Sequence, residues 1–269
     1  MLGMLQSIIL ENVKWRNQIG RLALFDLQKT VRGAVLGWLW LFVKPITYIS
    51  VFWFALEIGL RANRSIGDFP FLLWLACGLI PWFFMSDMLG GGSNVYKRYA
   101  YLITRVSFPS SVIPSLYSVS CFIIFAISLV ALIAGMYIGG FPLTIYALQI
   151  PFIAIVMLLF FVLFSLMTSP LAAISKDIAN LLKAVRQPIF WLSGIIFNTS
   201  TVGIPWLQWF FAFNPVSFFA TAFRAALCEK YWLWERPEIL ICFGLVFALT
   251  LICALQFHRR LGWEVADAL

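Results

Sequence analysis

The sequence predicts an all-α, polytopic membrane protein of six transmembrane helices. To these it adds an N-terminal amphipathic interface helix, a short cytoplasmic helix between spans two and three, and a re-entrant pair before the last span. Three observations predict this fold. Of the 269 residues, 62% are apolar and 11% charged, and mean hydropathy is +0.94, whereas about a quarter of a soluble domain is charged. Several runs reach the roughly 20 apolar residues a helix needs to cross about 30 Å of hydrocarbon. The charges gather in the segments between those runs. In lipid the backbone has to satisfy its own hydrogen bonds, so long apolar runs read as helices, and a conventional water-facing core is excluded.

Residues 1–36 read as a cytoplasmic N-terminus with an interface helix. Glu11, Lys14, Arg16, Arg21, Asp26, Lys29 and Arg32 precede the first long apolar run, so no cleavable signal is expected. From Trp15 to Val31 the apolar positions Trp15, Ile19 and Leu22, then Leu24, Leu27 and Val31, keep helical spacing with charges between them. Such a helix lies flat at the interface; a frayed polar leader is the alternative.

Residues 37–269 hold the spans. The first runs from about Gly37 to Leu60, with Lys44 and Pro45 about a third of the way in. The second covers Phe71 to about Leu89 and ends at Gly90-Gly91-Gly92. The third runs from about Val112 to Tyr137, the fourth from about Leu143 to Met167 and the last from Ile239 to Phe257. Between Pro188 and Cys228 the apolar sequence is cut by Pro205 and Asn214-Pro215 into pieces too short to span. One crossing from about Leu182 to Phe197 and a re-entrant region over 203–228 bring the count to six. Re-entrant backbone survives at membrane depth only where protein buries it or it lines a wet cavity.

Six spans put both ends on one side, and the lysines and arginines say which. Lys14, Arg16, Arg21, Lys29, Arg32, Lys44, Lys97, Arg98, Arg105, Lys176, Lys183, Arg186, Arg259 and Arg260 fall inside. Arg61, Arg64, Arg224, Lys230 and Arg236 fall outside, so the positive-inside rule places both termini in the cytoplasm. The net charge of +8 is spread over these flanks rather than gathered in one patch; it sets orientation, and no nucleic acid partner is expected. The five cysteines (Cys77, Cys121, Cys228, Cys242, Cys253) lack paired C-x-x-C spacing and read as small packing residues.

Residues 94–106 stand out between spans two and three. Val95, Tyr99, Leu102 and Val106 recur at helical spacing with Tyr96 and Ile103 beside them, while Lys97, Arg98 and Arg105 point elsewhere. Glycines set this three-turn helix off before and Pro109 after, so it can move as a unit with the ends of two spans. It reads either as an interfacial anchor or as a docking element laid by its apolar face into a partner's groove.

Four segments carry a family resemblance. VLGWLWLFVKPI (Val35 to Ile46), GLIPWFF (Gly78 to Phe84), RVSFPSSVIP (Arg105 to Pro114) and FNPVSFFATAFRAAL (Phe213 to Leu227) resemble, in order, elements of ABC-2-type permeases that export polysaccharides. Residues 110 and 111 are serine where that family often carries a base, and Lys44 before Pro45 is not typical. The resemblance implies the membrane subunit of a transporter of the teichoic acid, O-antigen or capsule class in a bacterial inner or plasma membrane. It further implies a second copy of the chain, and two copies of a separate ATP-binding subunit that carry ATP and Mg. The helix over 94–106 is similar to the family's coupling helix, with Tyr96, Lys97, Arg98, Tyr99, Leu102 and Arg105 as docking residues. The chain has no G-x-x-x-x-G-K-[ST] loop, so no cofactor and no enzymatic activity are expected of it.

A lipid-linked polysaccharide needs a path that replaces water without gripping any sugar tightly, and aromatic faces with polar handles suit that. Candidates are Trp38, Trp40, Tyr48, Phe52 and Trp53 on span one, with Trp74, Trp82, Phe83 and Phe84 on span two; the competing reading is an interfacial belt in contact with membrane lipids. Arg224 is placed to meet a phosphate of the lipid carrier or to pair with Glu229. Glu57 and Asp87 sit near span ends and read as structural. His258, beside Arg259 and Arg260, reads as a headgroup contact, and no histidine or carboxylate cluster supports a metal or acid-base catalysis. Alternative functions are export of a drug or small lipid, a membrane-embedded transferase acting on a lipid carrier, and a passive channel or anchor.

Overall fold

The computed structural model describes residues 2–33, 35–59, 69–106 and 108–268. Among them the α-helices are α1 (Leu2–Lys14), α2 (Arg16–Val31), α3 (Trp40–Trp53), α4 (Phe71–Gly90), α5 (Val95–Arg98) and α6 (Ala100–Val106). There follow α7 (Ile113–Ile138), α8 (Ile150–Ile174), α9 (Lys176–Leu192), α10 (Pro205–Phe213), α11 (Pro215–Arg224) and α12 (Pro237–Ala268).

The leader holds two helices. α2 buries Ile19, Ala23 and Leu27, one per turn, against α7, where the Ser120 hydroxyl donates to the Ala23 carbonyl at 3.4 Å. The expected apolar stripe is therefore divided, because Leu24 and Phe25 remain exposed.

A 3-10 turn before α3 and a π-helical turn after it give one helical stretch, Gly37–Gly59. Leu60, the expected end of that span, lies outside the described residues, as do Arg61 and Arg64. α4 and α7 follow the expected second and third spans closely. The fourth begins near its expected start: a 3-10 turn from Ile145 leads into α8 at Ile150, where Pro151 sits in the first turn, and the helical stretch Ile145–Ile174 runs past Met167. A proline in a first turn costs no hydrogen bond and presets the helical backbone. α8 also runs past Thr168-Ser169-Pro170, with the Thr168 hydroxyl returned to the Phe164 carbonyl at 2.8 Å, and stops only where Ser175 becomes extended.

Among the described residues five helices qualify by length and composition to cross a membrane, or six if α10 and α11, bent by 87°, count as one. The expected crossing from Leu182 to Phe197 is not one helix. α9 begins earlier and ends at Leu192, because Gly194 takes a left-handed φ of 65° that side chains disfavour. Lys176, Asp177, Asn180, Lys183, Arg186 and Gln187 make its first half polar. Its contacts nevertheless climb α4 from end to end. Arg186 rests on Gly90, the Phe190 ring lies 5.3 Å from Trp82, and the carbonyls of Gly194 and Ile195 meet Arg224 beside Trp74.

The core is aromatic and centred on α4, α8 and α11. Phe84, Phe125, Phe160, Phe161, Phe219 and Phe223 are buried, mostly in edge-on or tilted pairs, and Phe218 stacks on Phe243 at 3.9 Å. Ala220, Ala222, Ala225 and Ala226 let α11 approach its neighbours closely. Small residues of this kind replace the hydrophobic effect as the basis of helix packing in lipid. The Gln149 side chain ties α8 to the last loop, donating to the Tyr231 carbonyl at 2.9 Å and accepting from the Leu233 N–H at 3.2 Å.

Candidate functional site

Two polar constructions interrupt the apolar body. The first is the joint between α4 and α7. The expected three-turn helix is broken at Tyr99 into α5 and α6. The break turns Val95, Tyr96, Tyr99 and Leu102 inward, where all four are buried within the chain. Lys97, Arg98, Tyr101, Thr104, Arg105 and Val106 form the exposed side.

The leader helices clamp this joint. The Asp26 carboxylate accepts from Arg98 at 2.9 and 3.1 Å and from the Tyr99 hydroxyl at 2.9 Å. Ser111 donates to Glu11, so one of the two serines at the family's basic position is used internally. On the α8 side Ser165 donates to the Gly92 carbonyl at 2.5 Å. Of the expected docking residues, Lys97 and Arg105 are left with exposed heads, Arg98 is exposed but held by Asp26, and the apolar three support them from below. Asp26 and Glu11 were not among the candidates; the one signal for Asp26 was an acid on an otherwise basic helix.

The second construction surrounds Arg224. Asn214 caps α11: its carbonyl oxygen accepts from the Val216 N–H at 3.0 Å, and its amide donates to the Ser193 hydroxyl at 2.8 Å. Ser217 donates to the Ser193 carbonyl at 3.0 Å. Arg224, the last residue of α11, is 3% exposed. Its guanidinium donates to the carbonyls of Trp74 at 3.3 Å, Gly194 at 2.7 Å and Ile195, and lies 3.4 Å from the centre of the Trp74 ring. Glu229 does not form an ion pair with it among the described residues; Glu229 accepts from the Trp74 indole at 3.2 Å instead. Arg224 thus ties α11, α4 and the end of α9 together. Gly78 makes room for it, since a Cβ there would stand 2.3 Å from the guanidinium.

The aromatic candidates are not brought into one lane. Trp74, Trp82 and Phe84 are buried in the core, while Trp38, Trp40 and Tyr48 are exposed on α3 and the turn before it. Tyr48 meets Phe83 edge-on at 5.8 Å, and Phe52 sits between Phe190 and Trp191 at 5.3 and 6.3 Å; Trp53 is partly buried beside them. The links come from Phe190 and Trp191 of α9, which the sequence reading passed over. Among the described residues no group of three or more His, Cys, Asp or Glu converges to hold a metal.

The family model described as ABC-2 type transporter matches residues 17–228. The chain is 25% identical to the O-antigen export system permease protein RfbA of Myxococcus xanthus over 224 residues, covering 82% of this chain and 84% of that one. It is 23% identical over 245 residues to a protein of the same name from Klebsiella pneumoniae, covering 91% and 92%.

Proposed function

The chain belongs to the ABC-2 type transporter family, and from that premise we propose that it is the permease subunit of an ATP-driven exporter of lipid-linked polysaccharide. The carrying observation is that the likeness to O-antigen export permeases runs through nearly all of both chains, so the shared feature is the whole membrane body and not one motif. In this reading two copies of the chain enclose the path, both termini are cytoplasmic, and two copies of a separate ATP-binding subunit dock from that side. α9 and the turn after it supply the crossing that the polar part of α9 conceals, since together they follow α4 from Gly90 to the level of Trp74.

The docking surface is the exposed side of α5 and α6, with Lys97, Tyr101 and Arg105 outward. The buried Tyr96, Tyr99 and Leu102 make it stiff, and the Asp26 clamp passes its movement to α2. Arg224 positions the outer half of the membrane domain. The test is depletion of the protein in cells: a lipid-linked polymer accumulates inside and disappears from the surface. Accumulation of a small lipid or drug with normal surface glycan would overturn the cargo. For docking, Lys97→Glu with Arg105→Glu is expected to abolish co-purification of the neighbouring ATP-binding subunit while the permease stays folded.

A further inference from the structure

A cavity of about 420 Å³ opens between α10, α11 and the start of α12. It is within the size range of ligand pockets. Gln208 and Trp209 line it from α10, Arg236 and Glu238 from the start of α12, and Arg224, Glu229 and Trp74 form its floor. Polar groups are rare at this density in an apolar body, and they are balanced: two guanidiniums stand against two carboxylates. Among the described residues no ion pair joins them.

The state of each group narrows what fits. Arg224 is directed at three carbonyls, and Glu229 uses one oxygen for the Trp74 indole, leaving the other. The Gln208 amide donates to the Val202 carbonyl at 2.8 Å, which leaves its oxygen as an acceptor. A phosphate entering here would gain a guanidinium but face two carboxylates at low dielectric. A neutral, hydroxyl-rich ligand meets acceptors and donors alike without bringing charge. Trp209, 61% exposed, offers a ring face at the mouth, where the apolar side of a sugar ring can lie.

We propose that this cavity is a subsite for one or two uncharged sugar residues of the exported polymer, stacked on Trp209 and hydrogen-bonded by Glu229 and Glu238. The proposal rests on the exporter reading, in which the cavity lies on the outer half of the membrane domain and meets the polymer as it leaves. Arg224 is a positioning residue here, holding the Trp74 floor.

The experiment uses the native cargo in cells that carry the whole transporter. A photoreactive p-benzoylphenylalanine is placed at position 209 or, as a control, at position 206; Trp206 is 69% exposed on the same helix and does not line the cavity. Ultraviolet light is expected to attach a periodate-sensitive polymer to the chain from position 209 and not from 206. Glu238→Ala removes the acceptor and lowers that yield about ten-fold, the factor carried by one hydrogen bond to a charged group. Equal glycan adducts at both positions, adducts with lipid alone, or a yield indifferent to Glu238→Ala overturn the subsite. Cells depleted of the protein separate the two failures. If intracellular lipid-linked glycan accumulates there but position 209 captures none, the subsite is wrong and the exporter reading stands; if none accumulates, the exporter reading itself falls.

Discussion

The first two spans have equal mean hydropathy and opposite surroundings. In the apolar stretch that includes α4, 72% of residues are buried within the chain, whereas none in Gly37–Gly59 is. α4 is the axis on which α7, α9 and α11 pack. α3 touches it along one side only, through Tyr48 on Phe83 and an ion pair of Lys44 with Asp87 at 3.8 Å. Hydropathy reports compatibility with lipid and says nothing about what a helix packs against, because lipid tails and leucine are equally apolar. What separates the spans is a set of small and polar features. α4 carries Gly78 and Cys77 where Arg224 and Cys228 approach, the two sulfurs lying 3.3 Å apart; α3 carries no buried residue at all.

The largest effect is expected where α4 makes room for Arg224. Arg224→Met leaves the Gly194 and Ile195 carbonyls without their donor, at about 1–3 kcal/mol for each buried unsatisfied group. Gly78→Val reaches the same end by steric means, since the guanidinium is fixed by those carbonyls and has nowhere to move. Both variants are expected to lower the thermal midpoint of the detergent-solubilised chain sharply, measured by fluorescence-detected gel filtration after heating. Midpoints like that of the parent chain would mean that Arg224 does not tie these elements together.

That tie was not legible in the sequence. An arginine in an apolar segment signals a site by its cost, but its partners here are 29, 30 and 150 positions away, and two of them are backbone carbonyls of a segment read as helix. The legible features were local. Long apolar runs gave α3, α4, α7, α8 and α12, and Asn214-Pro215 marked the bend because its cap and ring act within four residues. α9 was placed too late along the chain because a helix lined by protein tolerates a polar half that a lipid-facing helix does not. The joint over 94–106 was read as one helix since its apolar spacing fits one. The structure breaks it at Tyr99, whose hydroxyl is held by Asp26 more than 70 residues away, a tertiary contact that no local pattern carries.

A smaller effect is expected at the only ion pair between the two spans among the described residues. The side chains of Lys44 and Asp87 are 56% and 39% exposed, and a pair so open contributes about 0–1 kcal/mol. Lys44→Ala should therefore leave the thermal midpoint of the chain nearly unchanged. It should instead loosen the N-terminal half of α3 from α4, seen as faster thiol labelling of a cysteine introduced in place of Leu41, which shares a 240 Å³ cavity with both charges. Unaltered labelling would show that the aromatic contacts of Tyr48 and Phe52 hold α3 without the ion pair.

The smallest effect on the chain itself is expected of Val51→Ala, and set beside a substitution on α4 it tests the comparison most directly. Leu79 on α4 is fully buried, and Val51 on α3 is 59% exposed. Leu79→Ala removes packing on all sides and is expected to cost about 2–5 kcal/mol, while Val51→Ala, at a side chain the chain covers only in part, is expected to stay within about 0.5 kcal/mol. The two substitutions separate differently in the assembled transporter. If a second copy covers the outward side of α3, Val51→Ala weakens dimerisation in native mass spectrometry while the single chain melts as before. If lipid covers it, neither quantity moves, since the two methyl groups removed from a lipid-facing surface are replaced by acyl chain. A loss of chain stability from Val51→Ala equal to that from Leu79→Ala would contradict both, because it would require α3 to pack on its outward side within one chain.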